Sequence, residues 1–158
     1  MARKDITMSP EEIHAFFEES MTLQVATLGK DGFPHVAPMW FVVDDNKVVF
    51  RSFSKSQKIV NLERNPKLTV LIESGLDYSE LRGVMIKGEA RLITDREYVL
   101  TMYGRLAARY PMINDESVEL DPEALEAAFG RMSDKNTAVV VEPVKIISWD
   151  HRKIGGGY

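Results

Sequence analysis

A stretch of ten residues, Pro34 to Val43, does most to limit what this chain can fold into. It is largely apolar on both alternating faces: His35, Ala37, Met39, Phe41 and Val43 on one, Val36, Pro38, Trp40 and Val42 on the other. A strand covered on both sides needs a barrel interior on one face and a ligand, a helix or a partner subunit on the other. Gly29-Lys30-Asp31-Gly32 before it and Asp44-Asp45-Asn46-Lys47 after it read as hairpin turns, so strands over 22–28 and 48–53 should pair with it antiparallel. Pro38 removes one ladder donor and belongs at an edge or a bulge.

Helices and further strands surround this meander. Ser9-Pro10-Glu11-Glu12 has capping-box spacing and opens a helix to about Ser20, with Ile13, Phe16 and Phe17 inward. A short helix is expected over 55–64, stopped by Asn65-Pro66, and strands over 67–73 and 83–94. Asp95 caps a helix to about Tyr110, Asp121-Pro122 opens another to about Met132, and 136–149 is the last strand. The expected fold is α+β: a six-stranded antiparallel barrel with helices outside, one domain over 1–158 ending in a glycine-rich tail at 150–158.

Composition removes several classes of function. With no cysteine, disulfides, thiolate zinc sites and thiol nucleophiles are excluded. A net charge of −4 argues against general nucleic-acid binding. No apolar run reaches the roughly 18 residues of a membrane span, and MARKDITMSPEE lacks a signal peptide's apolar stretch, so the expected compartment is the cytoplasm. His14, His35 and His151 show no metal-ligand spacing, and no phosphate-loop, Rossmann or nucleophile-elbow motif is present, so no metal site and no catalytic side chain is assigned.

The chemistry concentrates in Arg51-Ser52-Phe53-Ser54-Lys55-Ser56-Gln57-Lys58: three cations, three serines and no acid. Ser54 and Gln57 have capping-box spacing, which would expose first-turn N–H groups beside Ser56, Arg51 and Lys58, a setting for a phosphate. An ordinary capped helix with solvated lysines fits the octet equally well. His35 to Phe41 offers a flat wall for a planar ring, with Pro38 freeing backbone groups, although core and interface packing explains Met39, Trp40 and Phe41 more simply. The third feature, Ser148-Trp149-Asp150-His151-Arg152-Lys153 followed by three glycines, is no phosphate loop; an aromatic and basic tail of this kind either stays loose or wraps a partner subunit.

In their joint order these segments resemble the pyridoxamine 5′-phosphate oxidase-like superfamily of flavin- and deazaflavin-binding split barrels. The similarity covers most of the chain: the opening helix, Leu23 to Leu28, Lys30 to His35, Met39-Trp40-Phe41, Val49 to Ser52, Ser56 to Pro66, and Lys87-Gly88-Glu89-Ala90-Arg91-Leu92. It implies a homodimer with two cofactor sites at the subunit interface. The phosphate would lie against Arg51, Ser52, Ser56, Gln57 and Lys58, and the ring beside Ala37, Pro38, Met39 and Trp40. Tyr78 or the region of Trp149 from the second subunit would complete the pocket.

Pyridoxamine 5′-phosphate oxidases proper carry Arg-x-Val-Leu-Leu-Lys on the second strand, where this chain reads Pro38-Met39-Trp40-Phe41-Val42-Val43 without either cation. The branch using the deazaflavin coenzyme F420 is the better match, with FMN the alternative. The function implied is hydride transfer between the deazaflavin and a small conjugated organic acceptor. An FMN-dependent oxidoreductase and a non-catalytic flavin or haem carrier are the competing readings, and a purely structural dimer would leave the Arg51 to Lys58 cluster unexplained. The loops over 75–82 and 112–120 match no specificity pattern.

Overall fold

The computed structural model describes residues 5–154; the first four residues and Gly155 to Tyr158 of the tail lie outside the described residues. α1 (Pro10–Glu19) begins as predicted: Ser9 Oγ accepts from the Glu12 amide at 3.3 Å, and Glu12 Oε2 accepts from the Ser9 amide at 2.7 Å. The strands are β1 (Leu23–Leu28), β2 (Pro34–Met39), β3 (Val42–Asp44), β4 (Lys47–Phe53), β5 (Lys67–Ser74), β6 (Arg82–Ile93) and β7 (Asn136–Asp150). α2 (Gln57–Arg64) joins β4 to β5, while α3 (Arg96–Arg109) and α4 (Pro122–Ser133) separate β6 from β7. Short 3₁₀ turns cover Tyr78–Glu80 and His151–Ile154, and the last strand runs one residue into what the sequence suggested as tail.

All pairings are antiparallel in one sheet ordered β2-β1-β5-β6-β7-β4-β3. Its two edges, β2 and β3, are consecutive in the chain and separated only by Trp40 and Phe41. Laid flat, seven strands would put those edges about 29 Å apart. Three Cα steps from Met39 to Val42 span at most about 11 Å. The sheet therefore has to curl into a split barrel, and the crossing at 40–41 is its seam.

That seam corrects the strand count from six to seven. The single long strand expected over 34–43 breaks because Phe41 leaves the ladder. Its amide donates to the Tyr110 hydroxyl at 3.2 Å, and that hydroxyl donates to the Phe41 carbonyl at 2.8 Å, so a side chain satisfies backbone groups that a strand would otherwise pair. The β3–β4 turn is the predicted one, with Asp45 and Asn46 both at positive φ as a two-residue hairpin requires.

Two apolar cores share the sheet. Leu23, Val25, Val48, Phe50, Leu68, Val70, Ile72, Val84, Ile86, Val139 and Val141 fill the barrel, closed by Phe16 and Phe17 of α1 and Ile59 and Leu62 of α2. On the outer face of β3, β4 and the first half of β7, Val42, Val49, Ala138 and Val140 pack under α3 and α4 against Val99, Met102, Tyr103, Leu106, Tyr110 and Phe129. β4 and the first half of β7, rather than 34–43, are thus the segments buried on both faces. β2 is an edge strand, as Pro38 demands, and its outward residues are exposed, Val36 to 57%.

The Gly88-Glu89-Ala90 segment has a local reason. Gly88 sits at a register shift between β6 and β7, where an added Cβ would meet the Glu142 carbonyl oxygen at 2.5 Å. Farther along the same pair, a Cβ on Gly83 would strike the Trp149 ring at 2.2 Å, so Gly83 is what lets that indole lie on the strand.

Candidate functional site

Alternation along β4 divides the predicted phosphate cluster. Val48, Phe50 and Ser52 face the barrel interior, while Val49 and Arg51 face the helical layer. Ser52, Ser56 and Lys58 come together: the Ser52 and Ser56 hydroxyls are 3.0 Å apart, and Lys58 Nζ donates to Ser52 Oγ at 3.3 Å. The chain enters α2 through a turn in which the Ser56 amide donates to the Phe53 carbonyl at 2.8 Å. Ser56 is the N-cap, yet its hydroxyl makes no capping bond, and the first turn carries no acid. Ser54, expected as the cap, instead pairs with Thr137 Oγ1 at 2.9 Å, which delays the helix start to Gln57.

The result is a positive spot without a counter-charge. First-turn N–H groups and the helix dipole repel a cation, yet Lys58 is half-buried in that turn. No carboxylate among the described residues forms an ion pair with it, and burial pushes its pKa below the ordinary 10.5. Gln57 does not join the group, because its amide donates along the helix to Asn61 Oδ1 at 2.8 Å. Asn61 in turn donates to Thr27 Oγ1 at 3.0 Å, a buried bond that ties α2 to β1.

Arg51 lies on the other face. Its guanidinium carbon sits 3.9 Å from the centre of the Tyr103 ring, and Nη1 donates to Asn136 Oδ1 at 3.3 Å. Among the described residues its buried Nε has no hydrogen-bond partner and no carboxylate pairs with it, and burial pulls its pKa down. Arg51 and the ring segment do meet: Thr22, Pro38, Met39, Trp40, Arg51 and Leu106 line a cavity of about 390 Å³ at the seam. Trp40 is held there by stacking on Tyr110, with ring centres 4.7 Å apart and planes 15° from parallel. Ala37 packs against the barrel core and is not among the residues that line the cavity.

A larger groove of about 860 Å³ lies elsewhere, between α1 and the end of β7, lined by Met8, Ile13, His14, Phe17, Val43 and Ile146 among others. Its lining has no lysine or arginine and includes Glu11, so this groove does not suit a phosphate-bearing ligand. Of the residues named for a second subunit, Tyr78 packs on His151 with ring centres 4.5 Å apart, and Trp149 covers Gly83. No helix among the described residues is long and apolar enough to cross a membrane.

Tyr103, Leu106, Tyr110 and Asn136 were not singled out from sequence. Tyr103, Leu106 and Tyr110 share a helical face, which marks them as buried but gives no hint that the face meets Arg51 and Trp40.

Comparison with known proteins agrees with this architecture. The family model described as pyridoxamine 5′-phosphate oxidase matches residues 9–150. A conserved hypothetical protein from Mycobacterium tuberculosis is 34% identical, with a TM-score of 0.88 over 100% of this chain and 94% of its own. An F420 reductase is 22% identical with a TM-score of 0.64, over 85% of this chain and 94% of its own. The heme storage protein HutZ from Vibrio cholerae is 17% identical with a TM-score of 0.61, over 91% of this chain and 96% of its own. No curated protein matches the sequence.

Proposed function

Because the chain belongs to the pyridoxamine 5′-phosphate oxidase family, we propose that it is a coenzyme F420-dependent oxidoreductase that holds its cofactor along the barrel seam. The carrying observation is a pair of half-buried cations, Arg51 and Lys58, with no carboxylate partner among the described residues. Burying uncompensated charge is costly, and an anionic ligand relieves that cost.

In this reading Lys58, Ser52, Ser56 and the first-turn amides of α2 hold the phosphate. Ala37 to Trp40 line the ring, and the free edge of β2 offers backbone groups to it. When bound, the reduced deazaflavin would supply a hydride to a small conjugated acceptor, which would take the balancing proton from solvent. Trp40, fixed by Tyr110, and Leu106 exclude water from the ring's neighbourhood. The deazaflavin is favoured over FMN by Pro38 and Val43, which stand where the oxidases proper carry strand cations. The cofactor site is completed in a homodimer through the uncovered face of β2, with Tyr78 or Trp149 of the partner subunit closing it.

A non-catalytic carrier of a flavin or haem is the second reading. It is favoured by a cavity lining that contains no general acid or base. Turnover separates the two. Oxidation of reduced coenzyme F420 by unsaturated ketones or quinones, catalytic in protein, supports the enzyme. Tight binding of the reduced cofactor with no turnover on any such acceptor supports the carrier.

A further inference from the structure

We propose that Arg51 is not a phosphate ligand but the residue that reads the polar edge of the cofactor ring. The inference rests on the cofactor reading above and assigns the two cations of that site to different ends of the ligand. Adjacent residues of a strand point to opposite faces, so Arg51 and Ser52 cannot both aim at one phosphate from β4. Their contacts follow that rule: Ser52 joins Ser56 and Lys58, whereas Arg51 joins Tyr103 and Asn136 under α3.

Arg51 is the charged side chain in the seam cavity, and it shares that cavity with Pro38, Met39 and Trp40, the apolar wall suited to a planar ring. Two contacts make it a fixed reader: the guanidinium carbon sits 3.9 Å from the centre of the Tyr103 ring, and Asn136 fixes Nη1. A guanidinium pinned on one plane presents its remaining N–H groups in that plane, which matches the carbonyl and nitrogen acceptors along the edge of a flavin or deazaflavin. Tyr103 is therefore a positioning residue for Arg51. The ligand class selected is a conjugated ring with an imide-type acceptor edge; a purely apolar ring would leave the guanidinium N–H groups that face the cavity without an acceptor.

The test compares each cofactor with its phosphate-free chromophore: coenzyme F420 with its deazariboflavin, and FMN with riboflavin. Affinities are read by fluorescence for wild type, R51M, R51K and K58M. The ratio of chromophore to cofactor Kd measures what the phosphate contributes. K58M should collapse that ratio about ten-fold or more, the scale of one charge-assisted hydrogen bond. R51M should leave the ratio unchanged while weakening cofactor and chromophore alike by about ten-fold. R51K keeps the charge but loses the planar fork, and should weaken both ligands less than R51M does. If R51M collapses the ratio as K58M does, Arg51 is a phosphate ligand and the inference is wrong. If R51M or R51K, with a native circular dichroism spectrum, leaves both affinities unchanged, Arg51 reads nothing. Wild type binding none of the four ligands overturns the cofactor reading itself, and the inference with it.

Discussion

The two halves of the sheet are built to different standards. In β4 and the first half of β7, neighbours on both faces are buried: Val48, Val49 and Phe50 in one strand, Ala138 to Val141 in the other. In β2 and the second half of β7 burial fails on at least one side. Val36 is 57% exposed, and past the bulge Val144 is 75% exposed. β7 alone makes the comparison, since it passes from one regime to the other along a single strand. The helix-covered half is a finished core that needs no other molecule. The bare half carries a row through paired positions, Pro38, Gln24, Leu71, Met85 and Ile147, apolar but for Gln24, and leaves it for something else to cover. The proposed cofactor seam lies where the two halves meet, as a ligand bridging subunits would require.

The largest effect should come from the finished half. Phe50→Ala is expected to cost about 3–5 kcal/mol in denaturant unfolding, whereas Val36→Ala should fall within about 0.5 kcal/mol for the isolated chain. Similar costs at both sites would erase the contrast. Next, Met85→Glu places a charge in the bare row. The chain should stay folded but lose self-association at micromolar concentration in sedimentation velocity, and an unchanged oligomer would remove this face from the interface.

Lys58→Ala sharpens the comparison at the start of α2. Cofactor affinity should drop about ten-fold or more, while the ligand-free protein should keep or slightly raise its melting temperature, because an uncompensated half-buried charge has been removed. A fall in both would make Lys58 structural. The smallest expected effect is on pH. Since burial lowers the Lys58 pKa, its charge is lost before the ordinary lysine value of 10.5 is reached, so phosphate affinity should weaken as pH rises through that lower value. In the ligand-free protein the sign reverses: the unfolded chain binds the extra proton, and stability rises with pH across the same window. Chemical denaturation at several alkaline pH values distinguishes the two trends.

What the residues disclosed follows from the range of the interactions. Caps, turns and hairpins are local, so Ser9 with Glu12, Asp45-Asn46 and the edge position of Pro38 were legible within a few residues. The break at Phe41 was not, because its cause is Tyr110, 69 positions away. Ser54 looked like a cap by spacing, but Thr137 on a neighbouring strand bonds its hydroxyl. The Arg51 to Lys58 octet was visible as a charge pattern, yet only the pleat of β4 separates Arg51 from Ser52. Alternation is itself a sequence-readable rule. What hid this division was that the octet crosses from strand to helix, where the period changes.

The most direct test of the central claim is a titration of the unmodified protein with coenzyme F420 and, separately, with FMN, followed by absorbance and fluorescence. Saturable binding of one ring per chain, tighter for coenzyme F420 and competed by inorganic pyrophosphate, is the predicted result. Failure of either ring to bind at concentrations up to about 1 mM, where even weak specific sites fill, would contradict it and leave Arg51 and Lys58 without the ligand assigned to them.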